Sequence, residues 1–551
     1  MPAGTGFGAA LARALLLPRD DGVPVAFRRL DLPAPRTVSL EGRGYLVPAE
    51  GALRELAREA FLELGRYLPR GRLEALLDAR AAASSEGERL VLDALVANAV
   101  AAAETGLPLC QDTGVASIHA VRGERILSAS EDGDEAELEL GVADAWRAGG
   151  FRPSVVAPRN LSDEDGTGDN LPASVSLRPV PGDAYGFLFA AKGGGSSNKA
   201  SLRQETRALL EPAAFDAFLR DLVDALGVAA CPPYRIAVAV GGVSPEETLE
   251  AMKLAAAGAL DALPAAGAGS GPVGALRLRD VEARILSLAA GSGWGAQFGG
   301  SRLALDARVV RLPRHAASVH VATGVSCAAH RRAFARVDRD GVFLEALERA
   351  PGAVLARAGA DGSFAAARAL PRLELSGTPA ELATRVRDLR AGALVSVSGP
   401  LLLARDAAHA RLAAMLSRGE ALPEWALGAA ILYAGPSEPG PDAPAGALGP
   451  TTSKRMDGYL ETLMAAGASL LTLGKGERTE ACRAACERHG GAYLAVPGGA
   501  AALFGSRCVE STETLAWPEL GMEAVRRVVV RNLPALVAVD SRGADVYARN
   551  R

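Results

Sequence analysis

Beyond about Leu373 the sequence alternates short apolar runs with amphipathic helical stretches, and this alternation limits the possible folds more than any other feature. "ALVSVSG", "SLLTLG", "AYLAVPG" and "ALVAVD" have the length and composition of strands. "LETLMAAGA" and "TEACRAACERHG" carry helical spacing between them. Strands separated by helices must bury both kinds of apolar face together, which is the logic of an α/β layer. Residues 373–551 are an ordinary size for one such core. A chain of 551 residues needs at least one more.

The preceding part, 1–350, reads as a larger mixed unit, so the fold class is α/β with α+β character. "LRELAREAFLELGRYL" and "GERLVLDALVANAVAAAETG" repeat apolar residues at helical spacing, and Gly106 closes the second as a C-cap glycine. Between Val175 and Ala191, "SVSLRPV" and "AYGFLFAAK" flank Pro181-Gly182-Asp183, which predicts a hairpin. A helix in "TRALLEPAAFDAFLRDLVDALG", a strand in "YRIAVAVGG" and a helix in "SPEETLEAMKLAAAGAL" follow. The stretch "PGAVLARAGADGSFAAARALPR", 351–372, is small and Gly/Pro-punctuated, and predicts a linker. The N-terminal "MPAGTGFGAALARALLLPRDDG" is interrupted by Arg13 and predicts a short helix, not a signal peptide.

Charge narrows the possible partners. Sixty Lys and Arg against 64 Asp and Glu leave a net charge of −4, with no basic excess for nucleic acid or an anionic membrane surface. No run approaches the ~20 apolar residues that cross a bilayer. Six cysteines in a chain this long make no disulfide framework and suit a reducing, cytoplasmic compartment.

Glycine-rich loops invite a nucleotide reading, which their context opposes. "AAKGGGSSNKA" follows a strand but lacks the Gly-Lys-Ser/Thr ending of a phosphate loop. "GSGWGAQFGG" contains Gly-x-Gly-x-x-Ala, yet the preceding "VEARILSLAA" has helical spacing where that fingerprint needs a strand. Lys192 and Lys199 flank the first loop, which favours a small anion; the alternative is a tight strand-to-helix connection. "HGGAYLAVPGGAAALFG" predicts packing turns.

Three cysteines stand at predicted element boundaries: Cys110 in "LPLCQDTGVA", Cys231 in "VAACPPYRIAV" and Cys327 in "HVATGVSCAAHRRAF", where a strand is expected to pass into a helix. Each could be core filler, a nucleophile or a metal ligand. Nothing local links them, so spacing alone does not make a site. Cys482, Cys486 and Cys508 read as core or surface thiols.

Taken in order, "CQDTG", "TGDNLPA", "AKGGGSSNK", "ACPPY", "GAQFGG", "RLPRH", "GVSC", "ARDAAHARL", "GPTTSKRMD", "GKGER" and "WPELGMEA" resemble the class I fumarate hydratases, the single-chain iron–sulfur fumarases. The resemblance runs through nearly the whole chain. It implies a [4Fe–4S] cluster in the N-terminal unit, held by Cys110, Cys231 and Cys327, and an active site between that unit and the C-terminal one. Three ligands rather than four leave one iron open to act as a Lewis acid on a substrate oxygen. It further implies reversible hydration of fumarate to L-malate, with Thr451 as base and Asp112 as its relay. Gln111, Arg152, Gly195, His315, Arg405, Arg455 and Lys475 are the implied substrate-binding residues, and a homodimer the implied assembly. Arginine suits the task because its planar fork binds carboxylate in two places.

Two departures bear on the substrate. Ser453-Lys454 follow "GPTT" where the family usually has small residues, and "AASVH" follows His315 where it has a small-residue, cysteine-containing run. The same apparatus acts on mesaconate or L-tartrate in relatives, and these remain alternatives. So do a non-catalytic iron–sulfur sensor, a zinc enzyme using the same cysteines and a nucleotide-dependent oxidoreductase.

Overall fold

The computed structural model describes residues 7–20, 22–265, 274–360, 362–440 and 443–548. Three sheets organise these residues.

A six-stranded sheet runs in the order Phe27–Arg29, Gly341–Glu345, Arg332–Asp338, Tyr185–Lys192, Val115–Gly123, Ser174–Val180. The predicted Val175–Ala191 hairpin is corrected here. Its two strands form, but Val115–Gly123 lies between them, parallel to one and antiparallel to the other. The Pro181–Ala184 turn is occupied by the end of that middle strand: Glu124 N–H donates to Val180 O, Arg125 N–H to Gly182 O and Gly123 N–H to Ala184 O. A short Gly-containing turn can span an intervening strand, and strand order is not encoded in its sequence.

The second sheet has the order Ser201–Glu205, Val319–Ser326, Tyr234–Gly242, Ala304–Arg314, Leu276–Arg277. Its central strand, "YRIAVAVGG", is buried along its whole length, as an apolar run covered on both faces should be. The helix Pro245–Ala256 covers one face, capped by Ser244, whose hydroxyl accepts from Glu247 N–H. The predicted strand-to-helix passage at Cys327 is also corrected. Val319–Ser326 ends at a tight turn, and the chain enters the strand Arg332–Asp338 of the first sheet directly.

The third sheet follows the predicted alternation. Its order is Arg372–Glu374, Leu394–Leu403, Ala430–Leu432, Leu471–Gly474, Ala492–Ala495, Val525–Val539, Val509–Ala516. The first five are parallel neighbours. Val525–Val539 pairs with both Ala492–Ala495 and Leu394–Leu403, so the sheet closes on itself.

The helix Glu86–Thr105 joins the two parts of the chain. Ser85 caps its start and Gly106, at φ 73°, closes its end. It is apolar around most of its circumference and buried accordingly. One continuous core contains Leu90, Leu95 and Val100 from this helix together with Leu473, Tyr493 and Leu503. Described residues of the 351–372 stretch also enter that core. They form helices at Pro351–Arg357 and Ala366–Ala369, which bury Val354, Leu355 and Ala367. The N-terminal helix forms at Phe7–Leu16, and Cys482, Cys486 and Cys508 are buried.

Candidate active site

The site is built from loops that leave the ends of all three sheets. Cys110, Gln111 and Asp112 lie between the helix Glu86–Thr105 and the strand Val115–Gly123. Asn98 fixes this loop: its amide donates to Leu109 O at 3.0 Å, and its oxygen accepts from Leu503 N–H at 3.0 Å. Gly193–Ser196 follow the strand Tyr185–Lys192. Cys231 precedes Tyr234–Gly242, and Cys327 follows Val319–Ser326, which runs antiparallel beside it. The two cysteine loops are joined directly, Ala328 N–H donating to Cys231 O at 3.0 Å.

The closed sheet supplies the opposing wall. Arg405, Tyr433, Lys475 and Gly498 come just beyond the C-terminal ends of its parallel strands Leu394–Leu403, Ala430–Leu432, Leu471–Gly474 and Ala492–Ala495. Open parallel sheets place their ligands at that end of the strands, and this closed one keeps the same polarity. Thr451 is held among them by its own backbone. Its N–H donates to Tyr433 O at 2.7 Å, and its carbonyl accepts from Lys475 N–H at 3.1 Å.

Side chains then cross the gap. Lys475 Nζ donates to Cys231 Sγ at 2.9 Å. Gln111 Nε2 donates to Pro450 O at 3.2 Å, which sets the residue before Asp112 against the residue before Thr451. Arg152 is fixed through its carbonyl, which accepts from Thr113 Oγ1 and Trp146 Nε1. Its guanidinium pairs with Asp112 at 3.1 Å and donates to Gly435 O at 3.2 Å. Asp112 also accepts from Gly194 N–H at 2.9 Å. Arg455 Nη2 donates to Thr451 Oγ1 at 2.8 Å and pairs with Asp406 at 3.2 Å. Arg405 pairs with Glu523 at 3.1 Å and faces Asp406 at 3.7 Å.

Glycine is required where these walls approach. A Cβ at Gly498 would lie 2.4 Å from Cys231 Sγ, and one at Gly193 would lie 2.8 Å from Asp112 Oδ2. Gly195 leaves room beside Lys475, whose Nζ is 3.7 Å from where a Cβ would stand. Cys231 itself adopts φ 61°. A side-chain-bearing residue held in the left-handed region marks a conformation that the surroundings impose.

The electrostatics divide the thiols. Burial pushes Cys231 up to about 11, against the pull of Lys475. Burial likewise raises Cys110. Cys327 goes the other way: burial opposes ionisation, but the Arg331 charge, the Ser196 hydrogen bond, the Ala329 N–H and Lys475 outweigh it. The three thiols act electrostatically on one another. Asp112 is held below the usual carboxylate range, because Arg152, Arg331, Lys475 and the Gly194 N–H outweigh its burial. Burial lowers Lys475, yet the neighbouring Cys231 and Cys110 thiols and Asp112 hold it above its ordinary value.

The structure thus brings together Cys110, Gln111, Asp112, Arg152, Gly195, Cys231, Cys327, Arg405, Thr451, Arg455 and Lys475. It does not bring His315. That residue follows Arg314, which pairs with Gly242, so it sits at the far end of the strand that starts beside Cys231. Nine residues of strand separate the two ends by about 26 Å. His315 is exposed there, and its Nδ1 accepts from Ala317 N–H. Lys199 is spent on a carbonyl, Ala225 O at 3.0 Å. The unexpected Lys454 is exposed, while Ser453 is buried and donates to Tyr493 Oη at 3.2 Å.

Three contributors were not legible. Gln297, from the loop with the dinucleotide-like pattern, donates to both Pro232 O and Gly498 O and accepts from Gly498 N–H, clamping the Cys231 loop to the closed sheet. Gly498 belongs to a run read as packing turns. Arg331 had no motif beyond its position four residues after Cys327.

These are the marks of an enzyme for a small polyanion: buried thiols, several cations and a hydroxyl held by one of them. Family models agree and cover nearly the whole chain, one described as fumarate hydratase over residues 54–336 and one as the fumarase C-terminus over 341–550. "Fumarate hydratase 2" of Leishmania major is 40% identical over 525 residues, covering 93% of this chain and 89% of that protein. The aerobic class I fumarate hydratases of Salmonella typhimurium and Escherichia coli K12 are each 40% identical over 92% of this chain, covering 86% and 91% of their own lengths. The chain belongs to the class I fumarate hydratases and is a hydro-lyase. No described helix is long and apolar enough to cross a membrane.

Proposed function

We propose that this enzyme hydrates fumarate reversibly to L-malate, with a [4Fe–4S] cluster held by Cys110, Cys231 and Cys327. The observation that carries the proposal is the convergence of three sequence-distant cysteines on one cationic pocket, with Lys475 in contact with Cys231. Among the described residues no three His, Cys, Asp or Glu side chains close around a single-ion position. Gly498 supports the fit, since any larger residue would fill the space beside Cys231. When bound, the cluster supplies one open iron as a Lewis acid for the C2 hydroxyl and its neighbouring carboxylate.

The chain's own residues do the rest. Arg405, Arg455, Arg152 and Lys475 gather cations where two carboxylates must sit, and Gln111 adds a neutral donor. A carboxylate bound by two such forks is fixed in orientation as well as position. In the dehydration direction Thr451 Oγ1 takes the C3 proton. Threonine is a very weak base and must be activated. Arg455 favours the alkoxide by donating to that oxygen, and Asp112, ionised and close through the Gln111–Pro450 contact, relays the proton. Arg152 and Arg405 neutralise the charge that develops on the substrate.

A homodimer and a cytoplasmic location belong to the same reading, the latter supported by six free cysteines. Anaerobic reconstitution followed by loss of fumarate absorbance tests the whole. Turnover of mesaconate or L-tartrate with fumarate inert would replace the substrate. An iron-loaded protein whose function survives T451A would point to a sensor.

A further inference from the structure

Buried arginines in this fold have anionic or carbonyl partners. Arg235 has Asp306, Arg332 has Glu345 and Arg478 has Asp457. Arg72 donates to Pro233 O and Cys327 O. Arg331 is different. It is 6% exposed, its Nε and Nη1 have no hydrogen-bond partner, and no described carboxylate forms an ion pair with it. Its backbone is firmly placed, the carbonyl accepting from Ala191 N–H at 3.1 Å beside the Gly193 loop. A Cβ on Gly193 would lie 3.4 Å from Arg331 Nη2 and 2.8 Å from Asp112 Oδ2, so both groups face the same glycine.

An unpaired buried guanidinium is costly unless something anionic shares its surroundings. Asp112 is the carboxylate that faces the same glycine, and Cys327 lies four residues earlier on the same turn. Asp112 is already paired with Arg152. A cubane in its 2+ state bound by three thiolates is a net anion, and that is the charge the pocket lacks.

We propose that Arg331 is the counter-ion of the cysteine-held cluster and positions Asp112 beside it, acting through these groups without touching substrate. This rests on the cluster reading above. Each ingredient fits. The residue sits four positions after a proposed ligand, on the turn that carries it, and no described carboxylate forms an ion pair with it.

The test compares full-length wild type, Arg331→Met and Arg331→Lys, each prepared without cluster and then reconstituted anaerobically. Methionine keeps the stem volume and removes a charge that no carboxylate pairs with directly in the described chain. Cluster-free R331M is therefore expected to melt no lower than cluster-free wild type. Loaded R331M is expected to lose iron and acid-labile sulfide about tenfold faster in air, with a lower cluster midpoint potential. R331K is expected to recover most of both, because the charge is restored. The inference is overturned if cluster-free R331M melts several degrees below wild type, since that is the signature of a packing role. It is equally overturned if R331M keeps its cluster with wild-type lifetime and potential. A wild type that binds no iron or sulfide at all would instead remove the reading on which it rests.

Discussion

Lys475 Nζ lies 2.9 Å from Cys231 Sγ, joining the closed C-terminal sheet to a thiol of the N-terminal part. The contact places a fixed ammonium where an anion is to bind. It also ties the catalytic geometry to the packing of two parts of the chain, for Cys231 and Lys475 are each anchored by their own sheets. Lys475→Met should keep the fold, because the site is buried and the stem is preserved. It is expected to lower kcat/KM by about 10²-fold or more, the usual scale for losing one preorganised charge donor. Anaerobic fumarate kinetics on reconstituted protein, normalised to iron content, measure it.

Arg455 and Thr451 form the second testable pair. Arg455 Nη2 donates to Thr451 Oγ1 at 2.8 Å, which in the proposed mechanism would favour the alkoxide of the base. Thr451→Ala removes the proposed proton acceptor and should reduce kcat by roughly 10³-fold, within the range for general acid–base groups. Thr451→Ser keeps the oxygen and should retain a measurable fraction. Arg455→Lys should fall between them, since an ammonium cannot hold both Asp406 and Thr451 as the fork does. Loss of C3 deuterium from labelled malate reports proton abstraction separately from binding. Exchange undiminished in T451A would remove Thr451 from this role.

Gly498→Ala tests the thiol's surroundings. The added methyl would stand 2.4 Å from Cys231 Sγ and 3.1 Å from the Lys475 stem, so one must move. The expected result is a folded protein with wild-type circular dichroism that reconstitutes less than about a third of the iron. Such overpacking typically costs about 1–3 kcal/mol. Full iron loading by G498A would show that this thiol is not a ligand.

How far the sequence led depends on the kind of information. The closed sheet was legible as alternating elements because its strands are buried runs and its helices carry caps, Thr378 starting Pro379–Asp388 and Gly490 closing Glu480–His489. Its closure was not, since the pairing of Val525–Val539 with two strands at once depends on twist and register. The 351–372 stretch was expected as a linker, and parts of it form short helices packed on the core. Alanine, glycine and proline look loose in composition, yet small residues also let helices approach closely, and Leu355 is 1% exposed. Ordered motifs named Cys110, Cys231, Cys327, Asp112, Thr451 and Lys475 as the proposed site, and these residues line one region of the described chain. Gln297 and Arg331 were not, because clamping a loop and countering a charge are properties of the assembled site. His315 was expected on the same motif evidence, and the register of Ala304–Arg314 carries it away.

His409 gives the site a dependence on pH. Its ring is fully buried on the helix Asp406–Ser417, edge-on to Tyr433, with Nδ1–H donating to Arg405 O at 2.8 Å. Burial lowers its pKa to about 4, with the Arg405 carbonyl partly opposing the shift. A histidine is protonated near pH 6.5 in the unfolded chain. Between those values the unfolded state binds a proton that the folded state refuses, so stability falls as the pH drops from about 6.5 to about 4. Above that window both states are neutral and the effect vanishes; below it both are charged and the loss levels off. The slope is at most about 1.4 kcal/mol per pH unit, for a total of roughly 3 kcal/mol. Because the ring holds the backbone of Arg405, substrate binding should weaken in the same window. His409→Asn should be less stable at neutral pH, where the packing is lost, but should show a flatter stability profile from pH 6.5 to 4. Denaturant unfolding of both proteins across that range measures the difference, and parallel profiles would assign the acid sensitivity to another group.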